Sequence, residues 1–152
     1  MKAQTKETQT SMTAVKSLQE LKEGNKRFQA NQKADRNLKE QVADTSGGQY
    51  PFATILSCID SRVLSELIFD QGIGDIFSAR IAGNFVNDDI LGSMEFACKL
   101  AGTKLIVVLG HTACGAVKGA CDDAKLGKLT GMLEKIKPAV NSVSEPEDPN
   151  LR

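Results

Sequence analysis

The stretch FATILS (residues 52–57) is a short run of mostly apolar side chains that ends directly before a cysteine, Cys58. A second run, KLIVVL (residues 104–109), ends two positions before the only histidine of the chain, His111. Short apolar runs bounded by glycine or proline are typical of strands buried in a parallel sheet. Apolar residues at helical spacing alternate with these runs, and this alternation predicts an α/β domain.

Working outward from residues 52–57, the pattern predicts a mostly parallel β-sheet flanked by helices, with an N-terminal helical arm. Strands are expected at 52–57, 76–80 and 104–109, and helices at about 14–30, 65–70, 88–101, from 114 onward and over 129–140. Residues 31–50 predict a connector that is irregular or partly helical. The order of strands and helices favours crossover connections, which place the carboxyl ends of parallel strands at one edge of the sheet.

The length of 152 residues predicts one domain with a core of its own. Residues 1–13 are polar and have almost nothing to bury, so we expect a disordered N-terminal segment. Residues 14–152 are then expected to form a single α/β domain. Its last stretch, residues 142–152, is polar and rich in proline and acidic side chains.

Charge and composition exclude several classes of partner. Lysine plus arginine and aspartate plus glutamate both number 19, so no net positive charge favours nucleic acid or an anionic membrane. No stretch approaches the ~20 apolar residues of a membrane span, and no secretory signal is visible. We therefore expect a cytoplasmic protein whose four cysteines are reduced, although an even number of cysteines would also allow two disulfides.

Two cysteines and the histidine are expected to meet at the carboxyl edge of the sheet. Cys58 follows one strand, and His111 and Cys114 follow another. A His-x-x-Cys motif alone more often marks a hydrogen-bonded histidine beside a buried cysteine. With Cys58 at the same edge, a zinc site with two cysteines and one histidine becomes the better interpretation. Three protein ligands leave the fourth position open, as catalytic zinc requires.

Polar residues beside these ligands suggest chemistry as well as binding. Asp60 and Arg62 leave the first strand together, and they form either a surface ion pair or a pair in which Arg62 orients the Asp60 carboxylate beside the metal. If that pair breaks, Asp60 can become a fourth ligand and close the site. Gly83, Asn84 and Gly115 serve turns, or they let the backbone approach a small substrate closely.

These residues carry a resemblance to a known family. The motifs CIDSRV (58–63), RIAGN (80–84) and HTACG (111–115) resemble those of the β-class carbonic anhydrases, and the similarity runs from about residue 17 to residue 140. The resemblance implies Zn²⁺ held by Cys58, His111 and Cys114, a catalytic pair of Asp60 and Arg62, and reversible hydration of carbon dioxide to bicarbonate and a proton by zinc-bound hydroxide.

The resemblance extends to the substrate pocket and to the assembly. Gln49 matches a glutamine that donates a hydrogen bond to substrate, and Phe77 matches an aromatic residue of the apolar pocket. In the family both usually reach the site from the neighbouring subunit, which implies a homodimer or homotetramer. Leu64 stands where the family commonly has proline. Family members also continue with further helices and a strand beyond about residue 141, so we expect a chain truncated at its C-terminal end.

Other interpretations remain open from the sequence. The same zinc site would serve a hydrolase of carbon disulfide or carbonyl sulfide. A non-catalytic zinc- or bicarbonate-binding homologue, or a form inactivated by truncation, would also keep the ligands. A dithiol redox protein using Cys58 and Cys114 is disfavoured because the Cys-x-x-Cys motif is absent.

Overall fold

A computed structural model of the chain describes residues 1–143. Its sheet has three strands, β1 (Ala53–Ser57), β2 (Ile76–Arg80) and β3 (Leu105–Leu109). The helices are α1 (Lys6–Ser11), α2 (Ala14–Gln29), α3 (Leu38–Asp44), α4 (Ser65–Ile68), α5 (Asp88–Glu95), α6 (Gly115–Cys121), α7 (Gly127–Glu134) and α8 (Lys137–Asn141). A π-helical turn, Phe96–Leu100, continues α5.

The sheet is parallel, in the order β2-β1-β3, with every residue of the central strand β1 buried. Ser57, the last residue of β1, pairs with Arg80 of β2 and with Leu109 of β3. All three strands therefore end at the same level. This register brings the loops that follow β1, β2 and β3 together at one edge, as the sequence predicts.

The main core lies on one face of the sheet. Leu21 of α2 and Phe52, Ala53 and Ile55 around β1 are almost completely buried. Alternate residues of β3, Leu105, Val107 and Leu109, pack against this cluster together with Met12, Phe69 and Ile76. A second cluster, formed by Ala120, Leu133 and Ile136, joins α6, α7 and α8 near the carboxyl edge. The α/β fold class predicted from the sequence is confirmed.

The end of the described chain differs in detail from the prediction. The helical pattern over 129–140 forms two helices, α7 and α8, and Pro138 lies in the first turn of α8. Proline lacks a backbone N–H and therefore fits the start of a helix better than its interior. Residues 144–152 of the predicted domain 14–152 lie outside the described residues.

The N-terminal segment 1–13 contains the helix α1, so the prediction of a disordered segment is wrong in the structure. The buried Gln9 side chain explains this order. Its Nε2 donates to the carbonyl oxygens of Pro51, at 2.7 Å, and Ala101, at 2.8 Å. A count of apolar residues misses such an anchor, because these hydrogen bonds add to the few apolar contacts of the segment, such as that of Met12 with the core.

Candidate metal centre

Cys58, His111 and Cys114 meet at the carboxyl edge of the sheet. Cys58 follows β1 directly, His111 follows β3, and Cys114 precedes the first residue of α6. Their ligand atoms all lie within 4.8 Å of one another, and the two sulfur atoms are 3.9 Å apart. All four cysteines of the chain are free in the structure.

The His111 ring is oriented for ligation by its neighbour. Nδ1 lies 2.9 Å from the carbonyl oxygen of Thr112, which can only accept a hydrogen bond, so Nδ1 carries the proton. The other ring nitrogen, Nε2, is buried and has no hydrogen-bond partner within the described part of the chain. A buried polar atom without a partner is costly, and a metal ion would use the lone pair that Nε2 presents.

The three residues fit zinc. Zinc is commonly bound by cysteine thiolates and neutral histidine, whereas calcium and magnesium prefer oxygen ligands. Two sulfur atoms that are each about 2.3 Å from a tetrahedral ion lie about 3.8 Å apart, close to the observed 3.9 Å. Among residues 1–143 no other group of histidine, cysteine and acidic side chains could hold a metal ion.

Gly83 supports the cluster through its backbone. Its N–H donates to Cys58 Sγ at 3.3 Å. Its φ of +79° is in the left-handed region, and a Cβ at this position would lie 2.5 Å from Ile136 Cδ1. Only glycine meets both conditions without strain. The structure therefore shows a close approach of the Gly83 backbone to Cys58, and the predicted approach to a small substrate stays a prediction.

Hydrogen bonds favour the thiolate form of Cys58. Burial raises the pKa of this thiol, but the Gly83 N–H, the His111 ring and the backbone of Asp60 lower it, and the resulting pKa is about 7 instead of 9.0. The neighbouring Cys58 sulfur in turn raises the pKa of His111. The cluster is thus prepared to release a proton from sulfur near neutral pH, which metal binding requires.

Asp60 and Arg62 form a bidentate pair beside the cluster. Arg62 Nε donates to Asp60 Oδ1 at 2.9 Å, and Nη2 donates to Oδ2 at 2.7 Å. These hydrogen bonds hold the pKa of the Asp60 carboxyl well below its usual range. Asp60 Oδ2 also lies 3.9 Å from His111 Nε2. The carboxylate is therefore ionised and next to the position that a metal ion would occupy.

Arg80 also belongs to this site, although no role was predicted for it beyond its place in the motif RIAGN (80–84). It is the last residue of β2, and its guanidinium donates to the carbonyl oxygens of Cys58 and Asp60. Its place in the sequence contains the signal. An arginine at the end of a strand that neighbours β1 is positioned to reach the loop after β1, where the ligands begin.

The remaining predicted residues divide between the two ends of the sheet. Asn84 and Gly115 lie at the carboxyl edge, in the turn after β2 and at the start of α6. Gln49 lies in the loop before β1, and Phe77 pairs with Thr54 near the start of that strand. Within one subunit, the length of β1 therefore separates Gln49 from Cys58. Phe77 packs edge-on against Phe96, with the ring centroids 6.3 Å apart.

The sequence is similar to those of carbonic anhydrases. A family model described as carbonic anhydrase matches residues 53–151. Carbonic anhydrase 2 of Mycobacterium tuberculosis is 43% identical over 126 residues, which are 79% of this chain and 61% of that protein. A carbonic anhydrase of Mycolicibacterium smegmatis is 40% identical with the same coverage. The chain thus spans about three fifths of the length of these relatives.

Solved structures show the same fold. The β-carbonic anhydrase CcaA superposes with a TM-score of 0.63 at 30% identity, and the match covers 88% of this chain and 71% of that one. One of two tetrameric β-carbonic anhydrases from Sordaria macrospora gives a TM-score of 0.65 at 26% identity, covering 90% of this chain and 69% of that one.

None of the helices in the described ranges is long and apolar enough to cross a membrane.

Proposed function

The chain belongs to the β-carbonic anhydrase family, and from this we propose that it catalyses the reversible hydration of carbon dioxide to bicarbonate and a proton. One observation carries the proposal beyond family membership. An ionised carboxylate, that of Asp60, is fixed 3.9 Å from His111 Nε2, which has no hydrogen-bond partner among residues 1–143. A site that only stabilises the fold has no evident need for an oriented carboxylate beside its ligands.

Cys58, His111 and Cys114 would hold the zinc ion. When bound, zinc supplies Lewis acidity, which lowers the pKa of water at the site toward neutrality. The three side chains come from two strand ends, and the Thr112 carbonyl fixes the tautomer of His111. With three ligands from the protein, one coordination position is left for the reaction.

Asp60 is proposed to orient the nucleophile and Arg62 to orient Asp60. An ionised carboxylate can only accept hydrogen bonds, so Asp60 accepts a hydrogen bond from the O–H group of the nucleophile. This hydrogen bond turns a lone pair of the nucleophile's oxygen toward carbon dioxide. The two hydrogen bonds from Arg62 prevent the carboxylate from turning to the metal. If they break, Asp60 is close enough to serve as a fourth ligand. Arg62 therefore keeps the site open.

We further propose that the active form is a homo-oligomer. Gln49 and Phe77 lie near the start of β1 within a subunit, whereas the ligands lie at its end. If these two residues contact substrate, they must come from another copy of the chain. The tetrameric enzymes of Sordaria macrospora are solved relatives in fold that assemble from several chains.

Stopped-flow measurement of carbon dioxide hydration tests the proposal. The zinc-loaded protein is compared with Cys58→Ala, which lacks a ligand, and with Cys121→Ala, which loses an exposed cysteine on α6. We expect hydration by the wild type and by Cys121→Ala, and only the uncatalysed rate with Cys58→Ala. A wild type that holds one zinc per chain and is no faster than Cys58→Ala would refute the enzyme assignment in favour of a zinc-binding homologue.

A further inference from the structure

Arg80 connects the strand β2 to the turn that carries a metal ligand and the oriented carboxylate. Its Nε donates to the carbonyl oxygen of Cys58 at 2.9 Å, and its Nη2 donates to the carbonyl oxygen of Asp60 at 2.8 Å. One planar guanidinium thus spans the backbone on both sides of Ile59. Hydrogen bonds from a charged donor are roughly twice as strong as neutral ones.

The turn has few other means of staying in place. The Ile59 side chain is 60% exposed, so the residue between the two carbonyls contributes little apolar packing. A backbone hydrogen bond from Val63 to the Asp60 carbonyl closes the turn locally, but it does not tie the turn to the sheet. Beyond the strand pairing that ends at Ser57, the Gly83 N–H holds the Cys58 sulfur, and Arg80 holds the backbone of both Cys58 and Asp60.

The charge of Arg80 is directed at the site. Within residues 1–143 its guanidinium forms no ion pair with an aspartate or glutamate. Arg62 differs, because its side chain is 66% exposed and its charge is matched by the Asp60 carboxylate. In the described part of the chain, the guanidinium of Arg80 thus serves the two carbonyl oxygens of the turn and no carboxylate.

We propose that Arg80 is a positioning residue that fixes Cys58 and Asp60 relative to each other, and that it thereby sets the affinity of the site for zinc. The two arginines then have separate tasks. Arg62 orients the carboxylate of Asp60, and Arg80 holds the backbone from which that carboxylate and the Cys58 thiolate project. Any effect on catalysis rests on the proposed function, whereas the effect on zinc affinity does not.

Zinc affinity, measured by competition with a chromophoric chelator, tests this role. Arg80→Lys keeps the charge, but a single ammonium lacks the planar fork that reaches both carbonyls. We expect zinc affinity to fall 10- to 100-fold, the usual effect of losing a residue that supports metal ligands, and to fall at least as far in Arg80→Ala. Arg27→Lys is the control, because Arg27 likewise donates from Nε and Nη2 to two oxygen atoms, here the carboxylate and the carbonyl oxygen of Asp70, away from the cluster.

Chemical rescue separates positioning from a general loss of stability. Millimolar guanidinium ion should restore part of the zinc affinity of Arg80→Ala and leave the affinities of the wild type and Arg27→Lys unchanged. An Arg80→Lys protein that binds zinc within twofold of the wild type would overturn the inference, as would an equal loss in Arg27→Lys. If Arg80→Ala does not fold, Arg80→Lys decides the question. A wild type that binds zinc without hydrating carbon dioxide would refute the proposed function and leave the affinity comparison valid.

Discussion

The carboxylate of Asp70, two residues after α4, is buried and holds α2 and the segment that follows α2 in place. Its replacement should destabilise the fold strongly. Arg27 Nε, at 2.5 Å, and Arg36 Nη1, at 2.6 Å, donate to its two oxygens, and the Ala34 N–H donates to one of them at 3.1 Å. The side chain of Asp70 is only 5% exposed and that of Arg36 only 7%. Asp70→Asn would leave the charge of Arg36 buried without a counter-ion.

The expected loss follows from this burial. Removing one partner of a buried ion pair typically costs about 3–5 kcal/mol. We expect the lower end, about 3 kcal/mol, because the Arg27 side chain is 27% exposed and can turn toward water. For a chain of this size, 1 kcal/mol corresponds to about 2–4 °C in Tm, so Tm should fall by roughly 10 °C.

Asp123→Asn is a matched control for this experiment. Asp123 also follows a helix, also has a φ in the left-handed region, 54° against 45° for Asp70, and also pairs with a basic side chain, that of Lys137. Its side chain is 64% exposed, however, so water can replace the lost partner. Asparagine tolerates this backbone conformation at both positions. We therefore expect Asp123→Asn to leave Tm unchanged within experimental error.

The pH dependence gives a second check on Asp70. Burial raises the pKa of Asp70, but the hydrogen bonds from Arg27, Ala34 and Arg36 together lower it by more than burial raises it. The pKa of Asp70 in the folded protein is therefore below its value in the unfolded chain. A carboxyl with a lowered pKa stabilises the fold fully above the unfolded pKa of about 4 and loses this contribution as the pH falls through the folded pKa. In urea denaturation, the difference between wild type and Asp70→Asn should narrow below about pH 4. An equal loss of Tm in Asp70→Asn and Asp123→Asn would refute the reasoning. So would a difference in free energy of unfolding between wild type and Asp70→Asn that does not change with pH.

Three further outcomes are expected. Gly83→Ala should weaken zinc binding and lower stability by about 1–2 kcal/mol from its left-handed φ alone, whereas Gly131→Ala, which has open space for a Cβ, should not reduce either quantity. Leu21→Ala should cost about 2–5 kcal/mol in urea denaturation because Leu21 is 1% exposed, whereas Val15→Ala, at a residue 79% exposed, should change little. Hydration rates should rise with buffer concentration, because the only histidine of the chain is a metal ligand in our proposal and cannot shuttle protons; rates independent of buffer would contradict this.

Parallel strands explain why so much of the site could be predicted from the sequence. Once 52–57 and 104–109 are strands of one parallel sheet, the residues that follow them must lie at one edge, and Cys58 and His111 meet there. No such rule gives the partners of Asp70 or of Gln9. Arg27 lies 43 positions from Asp70, and Pro51 lies 42 positions from Gln9. Local periodicity contains no information about pairings at that distance.

The positions of the residues in the centre follow from the register of the sheet. The pairing of Ser57 with Arg80 and Leu109 fixes where three loops begin, and it sets both the position of Cys58 and the reach of the Arg80 guanidinium. Thiols close together would repel each other if both were ionised without a cation. The Gly83 N–H, which donates to Cys58 Sγ, reduces this cost at Cys58. In our proposal zinc is therefore bound by side chains whose starting positions are set by the register of the sheet.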